Sequence, residues 1–144
     1  MDQVNVQAQA FVTPLRRIPN PKGDILHALK QSDAGFAGFG EAYFTHVHCG
    51  EIKGWKKHTR MQLNLIVPVG TVRFYVHDEA QQRTDVHELG PENYGRLTVP
   101  SGLWVAFEGL GQPVNMLLNV ASIEHDPQEA VTLPLDTFPF GGAA

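Results

Sequence analysis

From position 42 onward, apolar and polar residues alternate with a period of two in short runs. Turn residues interrupt these runs about every 8 to 12 positions, the rhythm of sandwiches and barrels. The pattern predicts strands at 42–49, 50–57, 62–68, 71–77, 83–89, 96–99, 104–108 and 115–121. Pro68-Val69-Gly70, Gly90-Pro91-Glu92-Asn93 and Pro100-Ser101-Gly102 supply turn chemistry between them. No segment has a convincing amphipathic helical period, so the expected class is all-β. Upstream, Pro14, Pro19, Pro21, Gly23, Gly35, Gly38 and Gly40 allow at most one short helical turn, around 24–31. The expected organisation is one domain over 1–144: an N-terminal arm with loops (1–41), a barrel (42–125) and a C-terminal strap (126–144). The tail holds Pro127, Pro134 and Pro139 and ends in Gly-Gly-Ala-Ala, the composition of an extended strap or a frayed terminus.

At 144 residues the chain can bury one core. Its formal charge of −4 offers no basic field for a phosphate backbone, so nucleic acid is not expected as a partner. No run approaches the roughly 20 apolar residues of a membrane span. Met1-Asp2-Gln3 does not begin a basic region followed by an apolar run, so a cytoplasmic protein is expected. The single cysteine, Cys49, excludes an intrachain disulfide and a multi-thiolate zinc site, and reads as a small, partly buried thiol.

The densest polar segment runs from Glu51 to Asn64. On a regular strand Gln62 and Asn64 share one face, while Met61, Leu63, Leu65 and Val67 share the other. The apolar set is expected against a neighbouring sheet and the polar set toward a cavity. If the strand is regular back to Lys56, then Lys56, His58 and Arg60 join that cavity face. Two cations, an imidazole and two amides in one line could hold a diphosphate and deliver a base. A solvated edge face with scattered charge is the alternative.

A second segment, Gly95 to Phe107, resembles the second cupin motif, in which a glycine precedes a Pro-x-Gly turn and a metal-binding histidine. Val105 occupies the histidine position here. The first cupin motif supplies His-x-His and a later glutamate, whereas this chain has His58-Thr59-Arg60 and no acidic residue before Gly70. A transition metal needs three or four converging ligands, and only His58 remains of that set, so no metal or other cofactor is expected. His46 and His48 could form at most a different two-histidine site.

These segments resemble the dTDP-4-dehydrorhamnose 3,5-epimerase family, cupins that act on nucleotide-linked 4-keto sugars. The family's Val-Leu-Arg-Gly-Leu-His-Tyr-Gln block is similar to Glu51-Ile52-Lys53-Gly54-Trp55-Lys56-Lys57-His58. Its Gln-x-Lys-Leu-Val strand and Gly-x-Val turn resemble Gln62-Leu63-Asn64-Leu65-Ile66 and Gly70-Thr71-Val72. Its Leu-Ser-x-Glu-Asn and Pro-x-Gly-Phe-Ala-His-Gly-Phe elements resemble Leu89-Gly90-Pro91-Glu92-Asn93 and the segment from Pro100 to Phe107. The resemblance covers about 44–121 and implies a cupin, or double-stranded β-helix jelly roll. It also implies a homodimer whose N-terminal arm crosses to the partner.

The departures fall on the chemistry. The family's base position holds Lys56, although His58 can replace it by a two-residue shift. Leu118 aligns with the family's acid, a tyrosine, and the region carrying the acidic partner of the base is expected to be missing. The implied reaction is proton removal beside a ketone, which needs a base at the C–H bond and a cation or donor at the oxygen. His58 is the expected base, and Lys56 or Asn64 the expected enolate stabiliser. Lys53, Arg60 or Arg96 is expected at the diphosphate, Gln62 beside the substrate, and Tyr75 as the proton donor. Trp55 and Trp104 could stack on a base or sugar, or line a barrel mouth. The expected ligand is a nucleotide sugar, bound with turnover as an epimerase or isomerase, or without it as a binding protein.

Overall fold

A computed structural model describes residues 8–140. The first seven residues of the arm and the Gly-Gly-Ala-Ala end lie outside the described residues. The strands are β1 (Phe11–Pro14), β2 (Arg17–Ile18), β3 (Ile25–Leu26), β4 (Glu41–Val47), β5 (Ile52–His58) and β6 (Leu63–Val69). They continue with β7 (Val72–Asp78), β8 (Arg83–Leu89), β9 (Gly95–Val99), β10 (Trp104–Gly109), β11 (Asn115–Ala121) and β12 (Ala130–Thr132). The eight runs of alternating residues are all strands. Around 24–31, where a helical turn was the most the punctuation allowed, the chain instead makes β3, which pairs with β2. The only helical element among the described residues is a 3-10 turn at Leu135–Thr137.

Two five-stranded antiparallel sheets face each other, in the orders β1-β9-β6-β11-β4 and β12-β5-β10-β7-β8. This is the cupin jelly roll. Between them lie Val47, Leu65, Val67, Phe74, Leu97 and Leu117, each at most 4% exposed, a buried layer that drives the sheets together. The arm supplies edge strand β1, which pairs with β9 of its own chain; an edge tolerates Pro14, which has no N–H to give a ladder.

Each sheet is also covered on its outer side. Loop 27–36 closes over the first sheet, where Arg96 is fully buried and donates to the carbonyls of Ala28 (2.8 Å) and Ala34 (3.0 Å). Gly35 touches this sheet so closely that a Cβ there would lie 2.6 Å from Thr98 Oγ1, and its φ of +93° further favours glycine. The strap closes over the second sheet, burying Trp55 and Trp104 beneath Leu133 and Phe138. Phe140 stacks on Trp55 with centroids 5.4 Å apart, Phe138 stacks on His77 at 4.0 Å, and Trp55 Nε1 donates to Leu135 O at 3.1 Å. Burial in this layer pushes the His77 imidazole below its ordinary range, against the pull of Glu79 and Asp78.

Candidate active site

A cavity of about 270 Å³ opens between the sheets at one end of the sandwich. One wall is formed by Lys53, Gly54, Lys56 and His58 of β5 with Val105 and Phe107 of β10. The other is formed by Tyr43 and Thr45 of β4, Leu63 and Leu65 of β6, and Leu117 and Asn119 of β11. Much of its lining is apolar, and two lysines, Lys53 and Lys56, are among its polar residues.

Strict alternation cannot put Lys53, Lys56 and His58 on one face. The register of β5 against β10 runs from Val105↔Lys56 to Phe107↔Lys53, so β5 carries one extra residue at Gly54–Trp55. That bulge flips the phase, bringing Lys53 to the cavity along with Lys56 while Trp55 turns outward. Gly54 leaves no room for a side chain, since a Cβ would meet Leu135 Cδ2 at 2.6 Å and Ala106 Cβ at 2.9 Å.

His58 is held by a partner that the sequence reading missed. Its Nδ1 is hydrogen-bonded to Glu129 Oε1, while Glu129 Oε2 accepts the backbone N–H groups of Arg60 (3.1 Å) and Met61 (3.2 Å). The Glu129 carbonyl accepts Thr59 N and Thr59 Oγ1, each at 2.8 Å. Burial by itself would raise this carboxyl, but the hydrogen bonds from His58, Arg60 and Met61 outweigh it and hold Glu129 below its ordinary value of 4.5. The carboxylate thus fixes the ring and its tautomer, leaving Nε2 as the nitrogen available to the cavity. The acidic partner expected to be missing is present, on the strap.

Several candidates sit elsewhere. Alternation breaks in the turn after His58, so β6 directs Leu63 and Leu65 inward, and Gln62 and Asn64 face loop 27–36. Gln62 and Asn64 donate to Gly35 O at 2.6 and 2.9 Å, and Asn64 Oδ1 accepts from Thr98 Oγ1 at 2.7 Å. Arg60 lies in that turn and pairs with Asp126 at 2.9 Å, clasping the strap. Arg96 is the loop anchor described above. Tyr75 points to the strap side, where its hydroxyl donates to Glu108 at 2.7 Å; burial, then that bond, push its phenol above the ordinary range against the opposing pull of Arg73. Trp104 faces the same way, donating Nε1 to Glu79 and lying under Lys57 Nζ, 5.1 Å from the ring centroid. Lys53 reaches the cavity with Nζ donating to His46 O at 2.7 Å. Among the described residues no three His, Cys, Asp or Glu side chains converge as a metal site.

Leu118, aligned with the family's acid, alternates with the cavity-lining Leu117 and Asn119 and faces outward. The phenol in the cavity is Tyr43, on the neighbouring strand β4, paired in register with Asn119. Its signal was the alternation Tyr43, Thr45, Val47 along a predicted strand.

No family model matches the chain, and no curated protein matches it either. Solved structures do. A dTDP sugar isomerase from Desulfovibrio desulfuricans is 32% identical, with a TM-score of 0.87 over 92% of this chain and 89% of that one. A sugar 3,4-ketoisomerase mutant from Thermoanaerobacterium thermosaccharolyticum, in complex with TDP-4-keto-6-deoxyglucose, is 17% identical, with a TM-score of 0.74 over 88% of each chain. A 3,5-epimerase from Legionella pneumophila, in complex with dTDP-4-keto-L-rhamnose, is 14% identical, with a TM-score of 0.78 over 97% of this chain and 84% of that one. The last two share the fold, and the first, with its identity along nearly the full length, carries the relationship: this chain belongs to the dTDP-4-dehydrorhamnose 3,5-epimerase-like family of dTDP-sugar isomerases and epimerases.

Proposed function

We propose that the protein is an epimerase or isomerase of a nucleotide-linked 4-keto-6-deoxy sugar. The observation that carries this reading is the His58–Glu129 pair opening onto a cavity that also holds two lysines. His58 Nε2 takes the proton from the carbon beside the ketone, and the electron pair moves onto the carbonyl oxygen as an enolate. Lys56 stabilises that oxygen, and Lys53 meets the diphosphate at the rim. Tyr43 stands on the opposite wall and returns a proton to the other face of the ring, which inverts the centre. Glu129 keeps its charge throughout and stabilises the imidazolium that forms.

The test incubates the protein in deuterated water with dTDP-4-keto-6-deoxyglucose and follows the mass of the sugar. The expected result is deuterium at the carbon beside the ketone, with none entering the corresponding 4-hydroxy sugar. Tight dTDP binding with an unlabelled sugar would overturn the catalytic reading and leave a binding protein.

We further propose that it works in the cytoplasm as a homodimer. Edge strand β4 and exposed Phe39 (67%) and Phe44 (63%) support pairing of two chains there. Light scattering is expected to give twice the 15.9 kDa chain mass, and a monomer at micromolar concentration would refute the pairing.

A further inference from the structure

Asn119 lies on the cavity wall, yet no step above employs it. The residue is 2% exposed and sits on β11 beside Tyr43. Its neighbours on that wall include Leu63, Leu65 and Leu117, where a further leucine would simply extend the core. A buried amide is costly in such a place unless its polar atoms are matched. One of them is matched: Nδ2 donates to Tyr43 Oη at 3.0 Å. The other, Oδ1, is buried without a partner.

The direction of that bond has a chemical consequence. An amide N–H can only donate, so it occupies a lone pair of the phenol oxygen and leaves the phenol proton free to point elsewhere. Turning the amide over would make Oδ1 accept the phenol proton, leave both Nδ2 hydrogens buried and unmatched, and tie the proton to the wall. We infer that Asn119 is a positioning residue that holds Tyr43 as a proton donor toward the sugar. The inference rests on the proposed reaction, because it gives Tyr43 the task of returning a proton.

Asn119→Asp is nearly isosteric and enforces the opposite polarity, since a carboxylate can only accept. With dTDP-4-keto-6-deoxyglucose, this variant is expected to form inverted product at least about tenfold more slowly. Affinity for dTDP should stay close to wild type, while the melting temperature should fall, because the new carboxylate is buried. In a Tyr43→Phe background the same substitution should add no further loss, because its effect passes through the phenol. Normal product formation by Asn119→Asp, or an undiminished additional loss in the Tyr43→Phe background, would overturn the inference alone. A wild-type protein that exchanges no deuterium would overturn the functional reading and the inference with it.

Discussion

Replacing His58 with Asn lowers deuterium entry beside the ketone by about 10³-fold, the scale that a positioned base contributes. Asparagine can still bond Glu129 and fill much of the same space, so dTDP affinity and melting temperature should move little. Rate and folding are thereby separated. The measurement is the initial rate of mass gain in deuterated water at saturating dTDP-4-keto-6-deoxyglucose. Exchange at the wild-type rate would remove His58 from the reaction and leave the cavity without a base.

Glu129→Gln is expected to show two effects. It removes the charge that orients the ring and stabilises the imidazolium, so turnover should fall by about 10²- to 10⁴-fold. It also weakens a buried hydrogen-bonded charge, at a cost of about 1–3 kcal/mol in unfolding free energy near neutral pH. The pH dependence follows from the depressed carboxyl. In the unfolded chain Glu129 takes up its proton near 4.5, and in the folded chain only at lower pH. Its contribution is therefore complete above 4.5 and fades as pH falls through the folded value. Denaturation curves from pH 6 down to pH 3 should accordingly decline more steeply for wild type than for the glutamine variant. Parallel declines would show that Glu129 titrates in the folded protein as it does in the unfolded chain.

The architecture was largely legible because a half-buried sheet writes itself as alternation. Strands 83–89 and 115–121 have in the structure the ends that the pattern gave them. The short strands escaped notice, since two residues such as Arg17–Ile18 cannot display a period and Pro14 demotes its run. The candidate site was legible in composition more than in direction. Lys53, Lys56 and His58 do meet at the cavity, but the phase from Lys56 to Asn64 was carried through a turn where the backbone resets it. The turn after His58 shifts the alternation and moves Arg60, Gln62 and Asn64 off the wall assigned to them, while the bulge at Gly54–Trp55 brings Lys53 onto it. Tyr75 and Trp104 belong to strands covered on both faces, where alternation says which residues go together without saying which face is the cavity. Glu129 lies 71 residues beyond His58 in a tail read as strap or fray, and only three-dimensional pairing discloses it.

That pairing has a bearing on how the protein would tolerate change. The carboxylate that aims the base is carried by the strap, whose Phe138 and Phe140 rings pack on Trp55 at the outer side of the sheet. Loosening this aromatic clasp, far from any sugar, should blunt the base before it melts the barrel. Drift in the outer rings would then show first as a sluggish enzyme of nearly normal stability.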